Sequence, residues 1–320
     1  MTKKMIIRGL TGLLLFAAGA VASAQQGATR IVVAFPPGGP ADTLARLVAQ
    51  EVSPILGTNV IVENKPGANG AVAANEVSRS NPDGNTVFLS SAGAIAINPG
   101  LYPKLTYKPA DFVPVTMLIA TPEVLALSAK SGMKSFEDLK ARSASGKGAT
   151  LASSGIGSMP HMAIAQLTRT TKVDALHVPY SGAAPAINDS IGGQVDGFFG
   201  DISGLLQFLK DGRLVPVGVA SQERSSALPD VPTFKELGYP DLIAINWYGV
   251  FAPAGTPDET VKRLNEAFNK AMQSPKMQEY VKATGVNAFA TSPEEFAKMV
   301  SDDSAKWSAL IQAENITVNE

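Results

Sequence analysis

The amino-acid sequence predicts an α/β protein of two lobes with a ligand cleft between them. Apolar runs bounded by turn residues alternate with helical patterns, beginning with "RIVVAF" and "ADTLARLVAQEVSPIL". Alternation of this kind builds a mostly parallel sheet covered by helices. The same rhythm begins again near residue 122, which predicts a second sheet. The chain has 320 residues, 45% of them hydrophobic, and this length is too great for one small core.

The first 24 residues have the pattern of a cleavable secretory signal peptide. An uncharged run over residues 9 to 21 is followed by small residues at Ala22 and Ala24, and three basic residues precede it: Lys3, Lys4 and Arg8. The run is shorter than the roughly 20 residues that cross a bilayer, which disfavours a membrane anchor. The chain has no cysteine that could carry a lipid. We therefore expect cleavage after Ala24 and a mature protein free in the periplasm of a Gram-negative cell.

The predicted elements follow in chain order. In the first lobe, "NVIVEN" and "ANGAVAANEVSRS" continue the alternation, and "TVFLSS" is the next strand. In the second lobe, helices at "SFEDLKARSA", "HMAIAQLTRT" and "APAINDSIGG" alternate with strands at "ATLASS", "DALHVPY", "QVDGFFGD" and "LVPVGVAS". The apolar passage "DLIAINWYGVFAPAGTP" leads to three C-terminal helical patterns. The first of them has Val261, Leu264, Phe268 and Met272 on one face, which predicts a helix covering a lobe.

The charge distribution argues against a nucleic-acid partner. The whole chain has 27 basic and 28 acidic side chains, and without the signal peptide the balance is about −4, with no basic stripe. The sequence also has no tandem repeat and no flexible linker between the predicted lobes. We expect lobes that share a few crossing segments, which can hinge and hold a ligand between them.

The stretch "FPPGGPAD" joins the first strand to the first helix. Its prolines lack N–H groups, so the donors of this loop are concentrated at Gly38, Gly39, Ala41 and Asp42, at a helix start that favours an anion. The glycines are not followed by the lysine of a P-loop, and G-x-G-x-x-G is absent here, so nucleotide binding fails on spacing. For this loop alone, a solvated strand-to-helix turn is the alternative interpretation.

Three comparable strand-to-helix junctions follow, at residues 90 to 100, 153 to 161 and 179 to 186. Each supplies serine hydroxyls and unhindered Gly or Ala amides at the carboxyl end of a predicted strand, where open α/β sheets bind ligands. None of the four loops contains Arg or Lys. Helix-start amides and hydroxyls can bind a carboxylate without a basic side chain. The sequence therefore predicts a carboxylate site to which each lobe contributes two loops.

Three further side chains are candidates for the cleft. Asp201 ends a predicted strand of the second lobe, where it could face an amino or hydroxyl group of a ligand. A loop or capping aspartate is the alternative interpretation. Phe35 and Tyr180 adjoin the glycine-containing loops directly, and we expect them to form walls of the pocket.

An enzymatic function has little support in the sequence. There are two histidines and no cysteine, and neither H-E-x-x-H nor G-x-S-x-G occurs. We predict no catalytic residue, no metal site and no cofactor. The alternative is a periplasmic hydrolase in which Ser158 pairs with His161 at a helix start. We favour a hydrogen-bonded histidine at the helix terminus, and we interpret His177, in a predicted strand, as structural.

Several longer motifs together resemble one protein family. The signal peptide, "VVAFPPGGPADTLARLVA", "VENKPGANGAVAANEVSRSNPDGNT", "HVPYSGAAPAINDSIGGQVDGFF" and "GVFAPAGTP" are similar to the Bug (TctC-like) solute-binding proteins of tripartite tricarboxylate transporters. The resemblance covers essentially the whole mature chain and implies a type II periplasmic binding protein. Its lobe 1 would comprise residues 27–121 and 246–320, and its lobe 2 residues 122–245, with the C-terminal helices returning to lobe 1. We expect a monomer.

In this family, carboxylate ligands are held largely by backbone amides, hydroxyls and ordered water. The resemblance assigns the site to Phe35, Gly38, Gly39, Asp42, Ser91, Ala92 and Gly93 on lobe 1, and to Ser154, Gly155, Gly157, Ser158, Tyr180, Ser181, Gly182 and Ala183 on lobe 2. It implies a receptor that closes on a dicarboxylate, tricarboxylate or aromatic acid and delivers it to a two-component membrane permease. A sensor that docks on a histidine kinase is the alternative.

The sequence departs from the family at one edge of this site. Family members often have "VDxxFDN" where this chain has "VDGFFGD". Gly200 thus replaces an aspartate, and Asp201 stands where asparagine is common. Whether this edge recognises an amino group on the ligand is left open by the sequence.

Overall fold

The computed structural model describes residues 28–318, and the predicted signal peptide lies outside the described residues. The strands of the described part are β1 Thr29–Val33, β2 Val60–Asn64, β3 Thr86–Ser91, β4 Phe112–Ser128, β5 Ala149–Ser153, β6 Ala175–Pro179, β7 Gly197–Asp201, β8 Leu214–Val219, β9 Ile245–Pro253 and β10 Asn287–Ala288. The helices are α1 Pro40–Leu56, α2 Ala71–Ser78, α3 Asn98–Leu101, α4 Phe136–Ala144, α5 Met159–Thr171, α6 Ala183–Gly192, α7 Ile202–Lys210, α8 Asp258–Met272, α9 Pro275–Thr284 and α10 Pro293–Ala313. Within residues 28–318, no helix has the length and apolar character needed to cross a membrane.

The strands form two sheets that share the long strand β4. The order in lobe 1 is β2-β1-β3-β9-β4, with β1 parallel to both of its neighbours and the short β10 also pairing with β4. In lobe 2, β6, β5 and β7 are parallel, and β4 lies antiparallel to β7 and β8. The α/β architecture predicted from the alternation of strands and helices is therefore confirmed.

Strand β4 passes from one lobe to the other between two neighbouring residues. Pro122 is its last residue opposite β9, where it faces Ile245, and Glu123 is its first residue opposite β7, where it faces Asp201. The Glu123 N–H donates to the carbonyl oxygen of Ala244 (3.0 Å), in the segment that returns to lobe 1. The two crossing segments are thus hydrogen-bonded to each other. We propose that the lobe boundaries implied by the family resemblance lie at these crossings.

Helices cover both faces of each sheet. In lobe 1, Ile31 and Val33 of β1 face the side of α1, α8 and α9, while Val32 between them faces the side of α2 and α10. This alternation is the two-residue period of a strand. In lobe 2, α6 and α7 cover one face and α4 and α5 the other. The apolar cluster beneath α10 continues beneath α5, so the lobes share one core while each has a second core of its own.

The junction at residues 90 to 100 differs from the loop that the sequence predicts. Gly93–Ile97 form a π-helix that continues into α3, and all five of these residues are buried. No side chain in this run is polar, so the segment is stable only when it is buried, and it packs beneath α10. Gly93 is itself enclosed, because a Cβ atom there would lie 2.6 Å from Asn69 Oδ1.

Gly249 of β9 provides a test of the packing between β9 and α10. It pairs with Ser90 on one side and Met117 on the other, and the ring of Phe296 covers it. An added Cβ atom would lie 2.6 Å from Cε1 of that ring and closer still to Cζ. We expect Gly249→Ala to lower the free energy of unfolding by about 1–3 kcal/mol through overpacking, measured by urea denaturation.

A matched control is Gly192→Ala at the end of α6. The nearest atom to a Cβ added there is Cγ of Gln194, at 3.8 Å, so the methyl group has room. We expect no loss of stability in this variant, because alanine also favours the helix. Equal losses in the two variants would contradict the overpacking explanation.

Candidate functional site

A cavity of about 40 Å³ lies between the two lobes, roughly the space of three ordered waters. We name it the central cavity. Its lining residues are Phe35, Pro36, Pro37, Gly39, Pro40, Ala41, Ser91, Ser154, Ser158, Met159, Pro160, Gly182, Ala183, Ala184, Pro185, Phe198, Asp201, Asn246 and Tyr248. These residues come from the carboxyl ends of strands, the loops that follow them and the helix starts beyond, together with two residues of β9.

Three helices begin at the central cavity. Helix α1 contributes Ala41 from lobe 1, and α5 and α6 contribute Met159 and Ala183 from lobe 2. The first N–H groups of an α-helix have no partner within the helix, and the aligned peptide dipoles add a partial positive charge there. Neither Lys nor Arg is among the residues that line the central cavity. The helix starts are therefore the features of this lining that favour an anion.

The lobe 1 loop is held in shape by Asp42. The Asp42 carboxylate accepts from the Gly38 N–H (3.0 Å), from Asn64 Nδ2 (2.9 Å) and from Arg46 Nε (3.0 Å). Burial disfavours its charge, but these three hydrogen bonds outweigh burial and lower the pKa of Asp42. The sequence predicted that the Gly38 amide would face a bound anion. In the structure this amide donates to the Asp42 carboxylate, and ligand binding by Gly38 stays a prediction.

The lobe 2 loop at residues 153 to 158 is fixed by serine hydroxyls. Ser158 Oγ donates to the Gly155 carbonyl (2.7 Å) and caps α5 by accepting from the His161 N–H (3.4 Å). Ser153 Oγ accepts from the Gly155 N–H (3.1 Å). Gly155 has φ 135°, a value that favours glycine. Ser154 and Ser158 of this loop both line the central cavity.

The two histidines hydrogen-bond to residues of this loop. The rings of His161 and His177 stack with centroids 3.9 Å apart. His161 Nδ1 accepts from the Gly157 N–H (3.1 Å), and His177 Nε2 is hydrogen-bonded to Ser153 Oγ (2.6 Å). Burial lowers the pKa of His161 to about 3, with a further contribution from His177, and lowers the pKa of His177 to about 4. Both rings are therefore neutral near pH 7.

The nucleophile–base pairing of Ser158 with His161 is contradicted by these contacts. The hydroxyl of Ser158 meets the backbone N–H of His161, while the His161 ring accepts from Gly157. The arrangement is a helix N-cap beside a buried histidine, as the favoured interpretation predicted for His161.

Four polar residues form a cluster at the inner end of the central cavity. Asp201 Oδ1 accepts from Asn246 Nδ2 (3.0 Å), and Asp201 Oδ2 accepts from the hydroxyl of Tyr248. Glu123 lies opposite Asp201 in the strand pairing and is fully buried. Burial and then the nearby charge of Asp201 raise the pKa of Glu123. Burial also raises the pKa of Asp201, although hydrogen bonds from Glu123, Tyr248 and Asn246 oppose the rise.

Twelve of the sixteen sequence-predicted site residues line one of three cavities. Eight line the central cavity: Phe35, Gly39, Ser91, Ser154, Ser158, Gly182, Ala183 and Asp201. Gly155, Tyr180 and Ser181 line an adjoining outer cavity, and Gly38 lines a cavity on the α1 side. Asp42, Ala92, Gly93 and Gly157 line none of the three. The hydroxyl of Tyr180 donates to Asp189 (2.8 Å).

Loops of the two lobes touch across the cleft. Asn69 Nδ2 of lobe 1 donates to the carbonyl oxygen of Gly157 in lobe 2 (2.6 Å). A Cβ atom added at Gly182 would lie 3.1 Å from Cγ of Pro36, so these two loops are also in contact. Glycine at 157 and 182 permits this close approach between the lobes.

Several residues of the site were missed in the sequence. Asn246 and Tyr248 line the central cavity from β9, which the sequence presented only as part of a long apolar passage. The signal was a single polar residue, Asn246, within "AINWYGVF". Glu123 carried a similar signal, because it is the one charged residue in the 17-residue strand β4. A lone polar residue within a buried strand needs a partner, but sequence does not name the partner.

Two α/β lobes on crossing strands, with helix starts from both lobes at a cavity between them, define a clamshell solute-binding protein. The sequence matches the profile of the tripartite tricarboxylate transporter family receptor over residues 44–316. The chain therefore belongs to this family of periplasmic solute-binding receptors, which work with transporter permeases.

Relatives and solved structures agree with this assignment. The chain is 32% identical to BugT of Bordetella pertussis over 286 residues, which is 88% of each protein. The periplasmic binding protein BugD is 31% identical with a TM-score of 0.87, over 92% of this chain and 99% of that one. MatC of Rhodopseudomonas palustris, solved with malate, is 32% identical with a TM-score of 0.85, over 90% and 100% of the chains. A second R. palustris protein, solved with adipate, is 28% identical with a TM-score of 0.86, over 90% and 97%. The predicted type II periplasmic binding protein fold is confirmed.

The buried histidines predict a pH dependence of stability. Both have a lowered pKa in the folded state, so below pH 6.5 the unfolded chain takes up protons that the folded chain does not. Their contribution is complete above the ordinary pKa and is lost as the pH falls towards the folded values. Between pH 6.5 and pH 5 the expected loss is about 2 kcal/mol for each histidine at most.

The test is a double variant, His161→Asn with His177→Gln, which keeps hydrogen-bonding atoms near Nδ1 and Nε2 without a titrating ring. The raised pKa values of Glu123 and Asp201 act in the opposite direction, since their contribution to stability falls as the pH rises. Both acids are present in the two proteins, so the difference between the proteins isolates the histidines. The free energy of unfolding of each protein is measured by urea denaturation at pH 7 and at pH 5. An equal change between the two pH values in the wild type and the double variant would refute the prediction.

Proposed function

We propose that this protein is an extracytoplasmic receptor that closes its lobes on a small carboxylate and delivers it to a two-component membrane permease. The observation that carries the proposal is the meeting of helix starts from both lobes at one cavity without a basic side chain in its lining. Each helix start favours an anion by about 0.3–1 kcal/mol, and more where it is partly buried.

The hydrogen-bond donors of the site suit a carboxylate group. The hydroxyls of Ser91 and Ser154 stand beside the helix starts, so a flat two-oxygen group can accept from amides and hydroxyls together. The malate and adipate in the structures of two relatives are carboxylates, which supports the same class here. We propose a dicarboxylate, tricarboxylate or aromatic acid as the ligand.

The lobes would act as two halves of one clamp. A ligand that touches both lobes favours the closed state by the contacts that it makes only there. Contacts of Asn69 with Gly157 and of Pro36 with Gly182 would add to those of the ligand. We propose the eight predicted residues of the central cavity as direct ligand contacts, and Asp42 and Gly157 as residues that shape the loops.

Three further expectations belong to the same proposal. We propose that the mature chain begins after Ala24, that it functions as a monomer, and that closure occurs about the crossings at Pro122–Glu123 and Ala244–Ile245. The hydrogen bond between the two crossing segments supports a common hinge.

A thermal-shift screen tests the ligand class. The mature protein is heated with succinate, citrate, glutamate and benzoate, each in a concentration series. A ligand at 100 times its dissociation constant should add about 2.7 kcal/mol to the free energy of unfolding. Failure of every carboxylate to raise the midpoint, alongside a rise with neutral sugars, would contradict the proposal.

Gly39→Val tests the loop itself. Gly39 has an extended conformation that valine can adopt (φ −87°, ψ 174°), and the nearest atom to its Cβ is the Pro36 oxygen at 3.9 Å. We expect the unliganded fold to be kept while the side chain crowds the cavity and weakens binding. At a ligand concentration 100 times the wild-type dissociation constant, tenfold weaker binding would add about 1.4 kcal/mol to the free energy of unfolding instead of about 2.7 kcal/mol. Thr43→Val, which adds no volume at an exposed position of α1, is the matched control. Equal ligand shifts in both variants would count against a role for this loop.

Uptake measurements test the permease partnership. Deletion of the gene should abolish uptake of the identified carboxylate while the permease is still made, and a plasmid copy of the wild-type gene should restore it. The Gly39→Val copy should restore it poorly, because delivery requires binding. Unchanged uptake with a changed transcriptional response to the ligand would instead support the sensor function.

A further inference from the structure

A pair of acidic side chains lies between the crossing strands and the central cavity. Glu123 and Asp201 face each other across β4 and β7, and each carboxyl group affects the pKa of the other. Glu123 is 0% exposed, and none of the described residues donates to either of its oxygens. Asp201 is 9% exposed and lines the cavity. An isolated carboxylate buried in this way would be costly, so Glu123 must keep its proton or find a partner.

The surroundings decide which of the two acids carries the charge. Two adjacent carboxyl groups cannot both ionise in a buried site. Asp201 receives hydrogen bonds from Asn246 and Tyr248, whereas neither oxygen of Glu123 accepts a hydrogen bond from the described residues. The proton therefore stays on Glu123 and points at Asp201, and the pair has a single negative charge on Asp201. Tyr280 is the other titratable group close enough to feel this charge.

The hydrogen bonds of Asp201 leave one acceptor position open. An ionised carboxylate has about four lone-pair positions. Asn246 and Tyr248 occupy two of them. With the proton of Glu123 directed at a third, one position is left for a donor in the cavity that Asp201 lines. This position needs a donor, and it repels a second carboxylate. Helix α7 begins immediately after Asp201, so the partial positive charge of this helix start lies close to the Asp201 residue.

We propose that Asp201 is a specificity-determining residue that requires a hydrogen-bond donor on the ligand, so that the preferred ligands are hydroxy- or amino-carboxylates. Glu123 is a positioning residue that keeps Asp201 ionised by holding the shared proton. The carboxylate of the ligand lies at the starts of α1, α5 and α6, and its hydroxyl or amino group lies at Asp201. This inference rests on the proposed receptor function and narrows its ligand class.

A carboxylate without a donor is disfavoured for a physical reason. A methylene group at this position would leave the charged oxygen of Asp201 desolvated and unpaired, and an unpaired buried charge is more costly than one lost hydrogen bond. A site built to pair with a ligand OH or NH discriminates strongly against the analogue that lacks it.

The experiment uses two sets of acids that differ only in the donor. Isothermal titration calorimetry at pH 7 compares succinate with malate and aspartate, and glutarate with 2-hydroxyglutarate and glutamate. In at least one set, the wild-type protein should bind the hydroxy or amino acid at least about tenfold more tightly than the unsubstituted acid. Asp201→Asn should reduce this ratio to near one while carboxylate binding persists, because the helix starts are unchanged.

Two variants of Glu123 test its positioning role. Glu123→Gln keeps a permanent donor towards Asp201 and should keep the preference for a donor on the ligand. Glu123→Leu removes the shared proton, which favours protonation of Asp201, and should lose the preference. If Asp201→Asn does not fold, the ratio in the wild type and the comparison of the two Glu123 variants still decide the question.

The possible results are distinct. Equal affinity within both sets for the wild-type protein, or a preference that survives Asp201→Asn, overturns the inference and leaves the carboxylate receptor intact. Loss of the preference in Glu123→Gln as well as in Glu123→Leu overturns the role of Glu123. Failure of every acid in the two sets and of citrate and benzoate contradicts the proposed function, and the inference falls with it.

Discussion

The site depends on helix starts from two separate lobes that meet at the central cavity. Peptide N–H groups at a helix start carry partial charge in fixed directions, so their attraction for an anion is useful only if the loops before the helices are rigid. The hydrogen bonds made by Asp42, Ser153 and Ser158 serve this purpose. Helix starts held in this way can favour an anion without the flexible charge of lysine or arginine in the lining, and each lobe supplies only some of them.

The crossing strands connect this site to the rest of the molecule. Strand β4 belongs to both sheets, and one apolar cluster extends beneath helices of both lobes. The change of lobe falls at Pro122, which has no N–H for the ladder, and the next residue is the buried Glu123. Glu123 at the point where the lobes join places an acid between the crossing segments and Asp201, which lines the central cavity. The neutral histidines behind the lobe 2 loop play a simpler part, since they fill space and accept hydrogen bonds.

Particular elements illustrate how far sequence reasoning reached. The strand and helix of the first loop, and the amphipathic face of α8, followed from periodicity and turn residues because these signals are local. The π-helix at Gly93–Ile97 did not follow from the sequence, because it depends on packing beneath α10. Gly38 was expected to offer its amide to a ligand, yet the side chain of Asp42 takes that amide. Local donors could be counted in the sequence, but their partners could not be assigned.

By itself, the sequence determined the α/β class, the places where strands pass into helices and the lack of basic residues in the four loops. These features depend on residues that are close together in the chain, and the conformational preferences of such residues can be read from the sequence. Only the tertiary structure decided which amides stay open to the cavity and which acids meet. Glu123 and Asp201 are far apart in the chain and become partners through the register of β4 against β7. Strand register is fixed by the packing of the whole sheet, and so the acceptor at the inner end of the cleft is a property of the fold.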